Sequence, residues 1–108
     1  ADPDRELLIA EVEPGGIPVG VVRIDTDGDR AELSWTVNPA ARGRGHGKEM
    51  LGLAIATAPP LLLIARIKPD NQGSQSLARS AGFSQVTSSG ALEVWELDRR
   101  PPTSGRAP

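Results

Sequence analysis

The chain changes its hydrophobic period in mid-course, and the change falls on one bare, basic stretch, VNPAARGRGHGK, residues 37–48. Before it, Ala31, Leu33, Trp35 and Val37 alternate with Glu32, Ser34 and Thr36, the pattern of a strand covered on one face. After it, Gly47, Met50, Leu51, Ala54 and Ala58 recur at i, i+3, i+4, i+7 and i+11, the pattern of one helix face. The spacing predicts a helix from about Gly45 to Thr57, ended by Pro59-Pro60. A strand therefore runs through a glycine loop directly into a helix.

Two more β-prone runs, Leu7 to Val12 and Val19 to Ile24, precede that strand. The segment Glu13-Pro14-Gly15-Gly16-Ile17-Pro18 separates them, and an Asp27-Gly28 turn signal follows the second. The three runs read as an antiparallel meander. Leu61 to Ile67 is almost continuously apolar, which suits a strand covered on both faces. A turn at Lys68-Pro69-Asp70-Asn71 leads to a short helix, capped at or just after Asn71 and stopped by Gly82. Phe83 to Val86 and Leu92 to Leu97 read as a closing strand pair around Ser88-Ser89-Gly90. The order β-β-β-α-β-α-β-β predicts an α+β fold, a mixed, mostly antiparallel sheet with two packed helices.

Composition sets the limits. A chain of 108 residues suits one small domain, and 38% hydrophobic content allows one thin core. With Trp35, Phe83 and Trp95 as the aromatics, that core is built of Leu, Ile, Val and Ala. Residues 1-98 are expected to form the domain. Arg99 to Pro108, rich in Pro and Arg and nearly free of apolar side chains, is expected to be a disordered tail. A net charge of -2 does not favour nucleic acid or an anionic membrane. There is no cysteine, hence no disulfide framework and no thiolate metal site. The longest apolar run, Ala58 to Ala65, holds two prolines and falls far short of the roughly 20 residues of a membrane span. A cytoplasmic location, no membrane, no nucleic acid and no metal are the expectations. Ala1 rather than Met opens the chain, and the expectation is a trimmed piece of a longer one.

The loop has its own chemistry. The first N–H groups of a helix lack internal partners, and the helix dipole adds about half a positive charge there. Glycine lets a bulky anion reach the backbone. Arg42, Arg44 and Lys48 surround Gly43, Gly45 and Gly47 with positive charge. This is a site for phosphate or pyrophosphate. A Walker loop does not fit, because Arg42 stands where its first glycine belongs and Glu49 follows Lys48. The dinucleotide fingerprint does not fit either, since the spacing here is G-x-G-x-G after a meander.

Arg42-x-x-Gly45-x-Gly47 resembles the acyl-CoA pyrophosphate signature, R/Q-x-x-G-x-G/A, of the GNAT N-acetyltransferase superfamily. Asn71, Ser74, Leu77 and Gly82-Phe83 resemble its second block, N-x-x-S/A-x-x-L…GF, and the resemblance runs from about Val19 to Leu97. It implies acetyl-CoA as co-substrate. Backbone N–H groups from Gly43 through Arg44, Gly45, His46 and Gly47 to Lys48 would hold the pyrophosphate, and Arg42 or Arg44 would meet the 3′-phosphate. The strand near Trp35 and Val37 would pair with the pantetheine arm, in a gap where two strands splay apart. Asn71 and Ser74 would line the thiol end. The implied reaction is acetyl transfer to a primary amine of a small molecule, such as a nucleotide-linked amino sugar of pseudaminic-acid type, or of a protein N-terminus.

Two departures from the family pattern stand out. The tyrosine that often protonates the leaving thiolate is Ala78 here, and the chain contains no tyrosine, which leaves Ser74, Ser76 or water. Only Ala1 to Arg5 precede the first expected strand, so the strand and two helices that usually come before the meander, and build much of the acceptor pocket, are expected to be absent from this domain. A homodimer, or a fused or neighbouring domain, would complete the pocket. A non-catalytic CoA-binding module or inactive fragment is the rival reading.

Glu32, on the polar face of the pre-loop strand, is the candidate general base, against the plainer alternative of a solvated carboxylate. His46, the single histidine, reads as solvated, and Trp35 and Trp95 as core. Asp27 and Asp29 flank a turn, and Glu93 and Glu96 read as a solvated strand face.

Overall fold

The computed structural model describes residues 5–11, 18–41 and 45–102. The elements are β1 (Arg5–Glu11), β2 (Pro18–Asp27), β3 (Arg30–Val37), a 3-10 turn (Pro39–Ala41), α1 (His46–Thr57), β4 (Leu62–Ile67), α2 (Gln72–Ser80), β5 (Ser84–Ser89) and β6 (Leu92–Asp98). This is the α+β order that the sequence predicts. The six strands lie in one sheet in the order β1-β2-β3-β4-β6-β5. Only β3 and β4 run parallel, and the other neighbours are antiparallel.

Local chemistry fixes the element ends. The β2–β3 hairpin closes through Gly28-Asp29, with Gly28 at φ 63°, and the β5–β6 hairpin through Gly90-Ala91, with Gly90 at φ 62°. Glycine in the first loop position supplies the positive φ that favoured two-residue hairpins need. Asn71 caps α2, its Oδ1 accepting from the Ser74 backbone N–H at 3.0 Å. At the other end Gly82, at φ 104°, donates to the Arg79 carbonyl, and Phe83 N–H donates to the Ala78 carbonyl at 2.9 Å. That pair of bonds is a Schellman motif, and the side chains of Phe83 and Ala78 are both buried.

Some expected boundaries shift. The first strand begins at Arg5 rather than Leu7, because Arg5 still pairs across to Asp25. Val12 lies outside the described residues, as do Glu13 to Ile17. Phe83 leaves the strand expected there and turns into the core, 2% exposed, while β5 extends to Ser89. Of the expected tail, Arg99 to Pro102 is described and residues 103–108 are not.

One face of the sheet carries the core. Val22 and Ile24 pair with Trp35 and Leu33, and Ala65 pairs with Trp95, so these side chains share that face. Leu51 of α1 is fully buried, and Ile55, outside the expected helix face, is buried with it. Fully burying a side chain such as Leu51, Leu63 or Ile24 contributes about 1.5–3 kcal/mol each, which ties α1 to β2. On the opposite face, Leu7, Ile9 and Val21 are exposed.

Candidate functional site

The site begins where β3 and β4 part. Their pairing covers only Arg30–Leu62, Ala31–Leu63 and Glu32–Ile64. Beyond it β3 continues to Val37, bonded to β2, and β4 continues to Ile67, bonded to β6. A wedge opens between them, and the β3 edge from Leu33 to Thr36 faces it.

Two clefts enter this wedge. The larger, about 520 Å³, is walled by Trp35, Thr36 and Val37 of β3 and by Gly45, Gly47 and Lys48 at the start of α1. Asn71, Gly73, Ser74, Ser76 and Leu77 form its α2 side. The smaller, about 320 Å³, is bounded by Ser34 on β3, by Arg66 and Lys68 at the end of β4, and by Leu92 on β6. Trp35, Asn71 and Ser74 line both, so they stand where the two clefts meet.

The start of α1 fits an anionic group. Gly45 is the N-cap in the left-handed conformation, φ 79°, and among the described residues no side chain caps the first turn. The first-turn N–H groups are thus left for a ligand, with the helix dipole behind them. Gly47 keeps the cleft open: a Cβ there would lie 3.4 Å from both Leu77 methyls and from Val37 Cγ2. Arg42, Gly43 and Arg44, the first three of the seven residues of the predicted phosphate loop, lie outside the described residues. His46 is not simply solvated. Its side chain is half-buried, with Nδ1 3.7 Å from the Glu49 carboxylate.

Gly20 supports the same wall from behind. A Cβ at Gly20 would fall 2.1 Å from the Thr36 carbonyl oxygen, so only glycine lets β2 pass this close to the cleft-lining end of β3. Asn38 then locks the exit of β3, its N–H donating to the Val19 carbonyl at 2.7 Å and its side-chain amide to Pro18 O at 2.9 Å.

The predicted catalytic residues sit differently from one another. Ser74 is half-buried at the junction of the clefts. Glu32 lines neither cleft and forms an ion pair with Arg66, which borders the smaller one. Asn71 reaches the junction with its Oδ1 already engaged as the cap. Ser76 borders the larger cleft alone. Ala78, the position of the family tyrosine, is fully buried in the core and lines neither cleft.

Other expectations meet the structure with mixed results. Trp95 is core, 2% exposed, with the Arg79 guanidinium 5.3 Å from its ring centre. Trp35 is half-buried, tilted against Phe83 at 6.2 Å, and its buried Nε1 has no hydrogen-bond partner among the described residues. Glu93 is not a solvated strand carboxylate. Its Oε1 accepts from Gln75 Nε2 at 3.2 Å and from Trp95 Nε1 at 3.1 Å. Gln75 Nε2 also donates to the Pro69 carbonyl, so this network ties α2 to the turn that carries Asn71.

Arg66 and Lys68 escaped the sequence reading. Their one signal was charge: Arg66 alone interrupts the apolar run of β4, and Lys68 ends it. Among the described residues no helix is long and apolar enough to cross a membrane.

Comparison with known proteins agrees with this geometry. A family model described as an acetyltransferase (GNAT) domain matches residues 2–84, more than half of the chain. No curated relative matches. Among solved structures, the GNAT domain of S. lividans PAT is 28% identical, with a TM-score of 0.75 over 88% of this chain and 61% of that one. An acetyltransferase from Agrobacterium tumefaciens is 20% identical, with a TM-score of 0.73 over 86% of this chain and 60% of that one. A spermidine N-acetyltransferase from Vibrio cholerae, solved with CoA and spermine, is 16% identical, with a TM-score of 0.70 over 87% and 64%. The last two show likeness of fold alone. The chain thus spans about three fifths of the length of these relatives.

Proposed function

Because the chain belongs to the acetyltransferase (GNAT) domain family, we propose that it transfers an acetyl group from acetyl-CoA to a primary amine. The observation that carries this reading is the early parting of β3 and β4 beside the uncapped start of α1. An exposed strand edge suits the amides of a pantetheine arm, and the free N–H groups suit its pyrophosphate. The larger cleft would take acetyl-CoA, held at Trp35, Val37, Gly45, His46, Gly47, Lys48 and Asn71, with Arg42, Gly43 and Arg44 completing the loop.

The amine would enter through the smaller cleft. Its nitrogen attacks the thioester carbonyl carbon, the C–S bond breaks, and the CoA thiolate leaves. The amine proton passes to Glu32, through water or after Arg66 releases it, and the Ser74 hydroxyl relays a proton to the thiolate, recovering it through water from Glu32 so that both groups end as they began. Candidate acceptors are a small-molecule amine, including a nucleotide-linked amino sugar of pseudaminic-acid type, or a protein N-terminus. A second copy or an adjoining domain would close the acceptor side, and the protein would work in the cytoplasm without a metal.

A non-catalytic CoA-binding module is the second reading, favoured by the burial of Ala78 and the absence of tyrosine. Calorimetry with acetyl-CoA, paired with an assay of thiol release in the presence of amines, separates the two. Micromolar binding that Gly45→Glu abolishes, together with amine-dependent thiol release, supports the enzyme. Binding without turnover supports the module. A folded chain that binds no acetyl-CoA overturns both.

A further inference from the structure

The acceptor-side mouth of the wedge carries an unbalanced positive charge. Arg66 and Lys68 lie two residues apart at the end of β4, and both border the smaller cleft. Among the described residues no carboxylate lines that cleft. Of the carboxylates on the flanking strands, Glu32 is spent on Arg66, and Glu93, opposite Ile67, is held by Gln75 and Trp95. Lys68 takes part in no ion pair among the described residues, so its charge is the uncompensated one. Ser34 adds a hydroxyl at the same mouth, and Leu92 closes it with an apolar wall.

Building on the acetyltransferase reading, we infer that the acceptor is an amine that also carries an acidic group, a carboxylate or a phosphate, and that Lys68 is the residue that selects it. Two physical effects point the same way. A cation at the mouth repels an ammonium group and lowers its pKa, which raises the fraction of neutral amine able to attack. The same cation attracts an anion elsewhere on the acceptor and so orients it, with the amine directed inward towards Trp35 and Ser74. A polycationic amine meets only the first effect and is turned away at the entrance. The ammonium of Lys68 is a flexible point charge, so it serves a carboxylate and a phosphate alike.

The test compares amines of matched basicity. 5-Aminopentanoate is set against 5-aminopentanol, glucosamine 6-phosphate against glucosamine, and spermidine serves as the polycation. For each, kcat/KM is measured on the wild-type chain and on Lys68→Glu, with acetyl-CoA binding followed by calorimetry. The expected result is a preference of at least about fivefold for the anionic member of one pair, which names the anion as carboxylate or phosphate. Lys68→Glu should erase or invert that preference while acetyl-CoA affinity stays the same. Equal or faster turnover of the neutral members or of spermidine overturns the inference and leaves the acetyltransferase standing. So does an anion preference that survives Lys68→Glu. If acetyl-CoA binds and none of the five amines is acetylated, the inference is overturned for both anions. If acetyl-CoA does not bind, the underlying reading fails first.

Discussion

Glu32 and Arg66, 34 positions apart in sequence, form an ion pair beside the last rung that β3 and β4 share. Glu32 pairs with Ile64 on that rung, and Arg66 follows two residues later on the same face. The pair therefore bridges the two strands at the point where they begin to part. Both side chains are about two-fifths exposed, 35% and 46%, so the pair itself contributes little to stability.

If Glu32 accepts the amine proton, Glu32→Gln should lower kcat by about a hundredfold or more. Acetyl-CoA affinity should be unchanged, since Glu32 does not line the larger cleft. Steady-state kinetics with calorimetry decides this. A kcat within about threefold of wild type assigns Glu32 to the ion pair alone.

Gly47 tests the shape of the cofactor cleft. Gly47→Ala should be tolerated with a small loss, because its Cβ would just touch Leu77 and Val37 at 3.4 Å. Gly47→Val adds two methyls between those walls and should weaken acetyl-CoA binding at least about tenfold. Equal affinities for the two variants, by calorimetry, would place the ligand elsewhere.

Gly20→Ala should destabilise the fold by about 1–3 kcal/mol, because a Cβ 2.1 Å from the Thr36 carbonyl forces two strand backbones apart. The same shift moves a wall of the cleft, so acetyl-CoA affinity should fall with it. Urea unfolding and calorimetry on one variant check both. Unchanged stability would mean that β2 moves away without cost.

Asp98 predicts an acid-side loss of stability. Arg100 donates to its carboxylate through Nε and a terminal nitrogen, at 2.9 and 2.8 Å, and through its backbone N–H at 3.0 Å. The side-chain bond, with the backbone bond after it, lowers the Asp98 pKa from 3.8 to about 2. A folded pKa below the unfolded one stabilises the fold above the unfolded value, and that gain is lost as pH falls towards about 2. The carboxylate is exposed, so the effect should be small. Asp98→Asn should flatten the urea midpoint between about pH 4 and pH 2. Parallel curves for the two proteins would contradict the assignment.

How far the sequence could be read depended on the range of the interaction. The Asn71 cap, the Gly82 stop and the turn glycines at 28 and 90 act within a few residues, and their residue types announce them. The face of α1 was readable to within one residue, Ile55, because helical period and burial coincide there. Glu93 was misread because alternation marks it as polar, whereas Gln75 and Trp95 reach it from other parts of the fold. Ala78 was recognised as the missing tyrosine, but its full burial depends on how α2 seats on the sheet.

The order of strands and helices and the bare, basic junction between β3 and α1 can be read along the chain. Periodicity, caps and glycines are local properties of the chain. Three features emerge only once the chain is folded: β3 and β4 part after Glu32, Trp35, Asn71 and Ser74 meet at the junction of two clefts, and Arg66 and Lys68 border the second mouth. The physical reason is that strand pairing uses backbone groups common to every residue. Where two distant strands stop pairing is set by the twist and packing of the whole sheet.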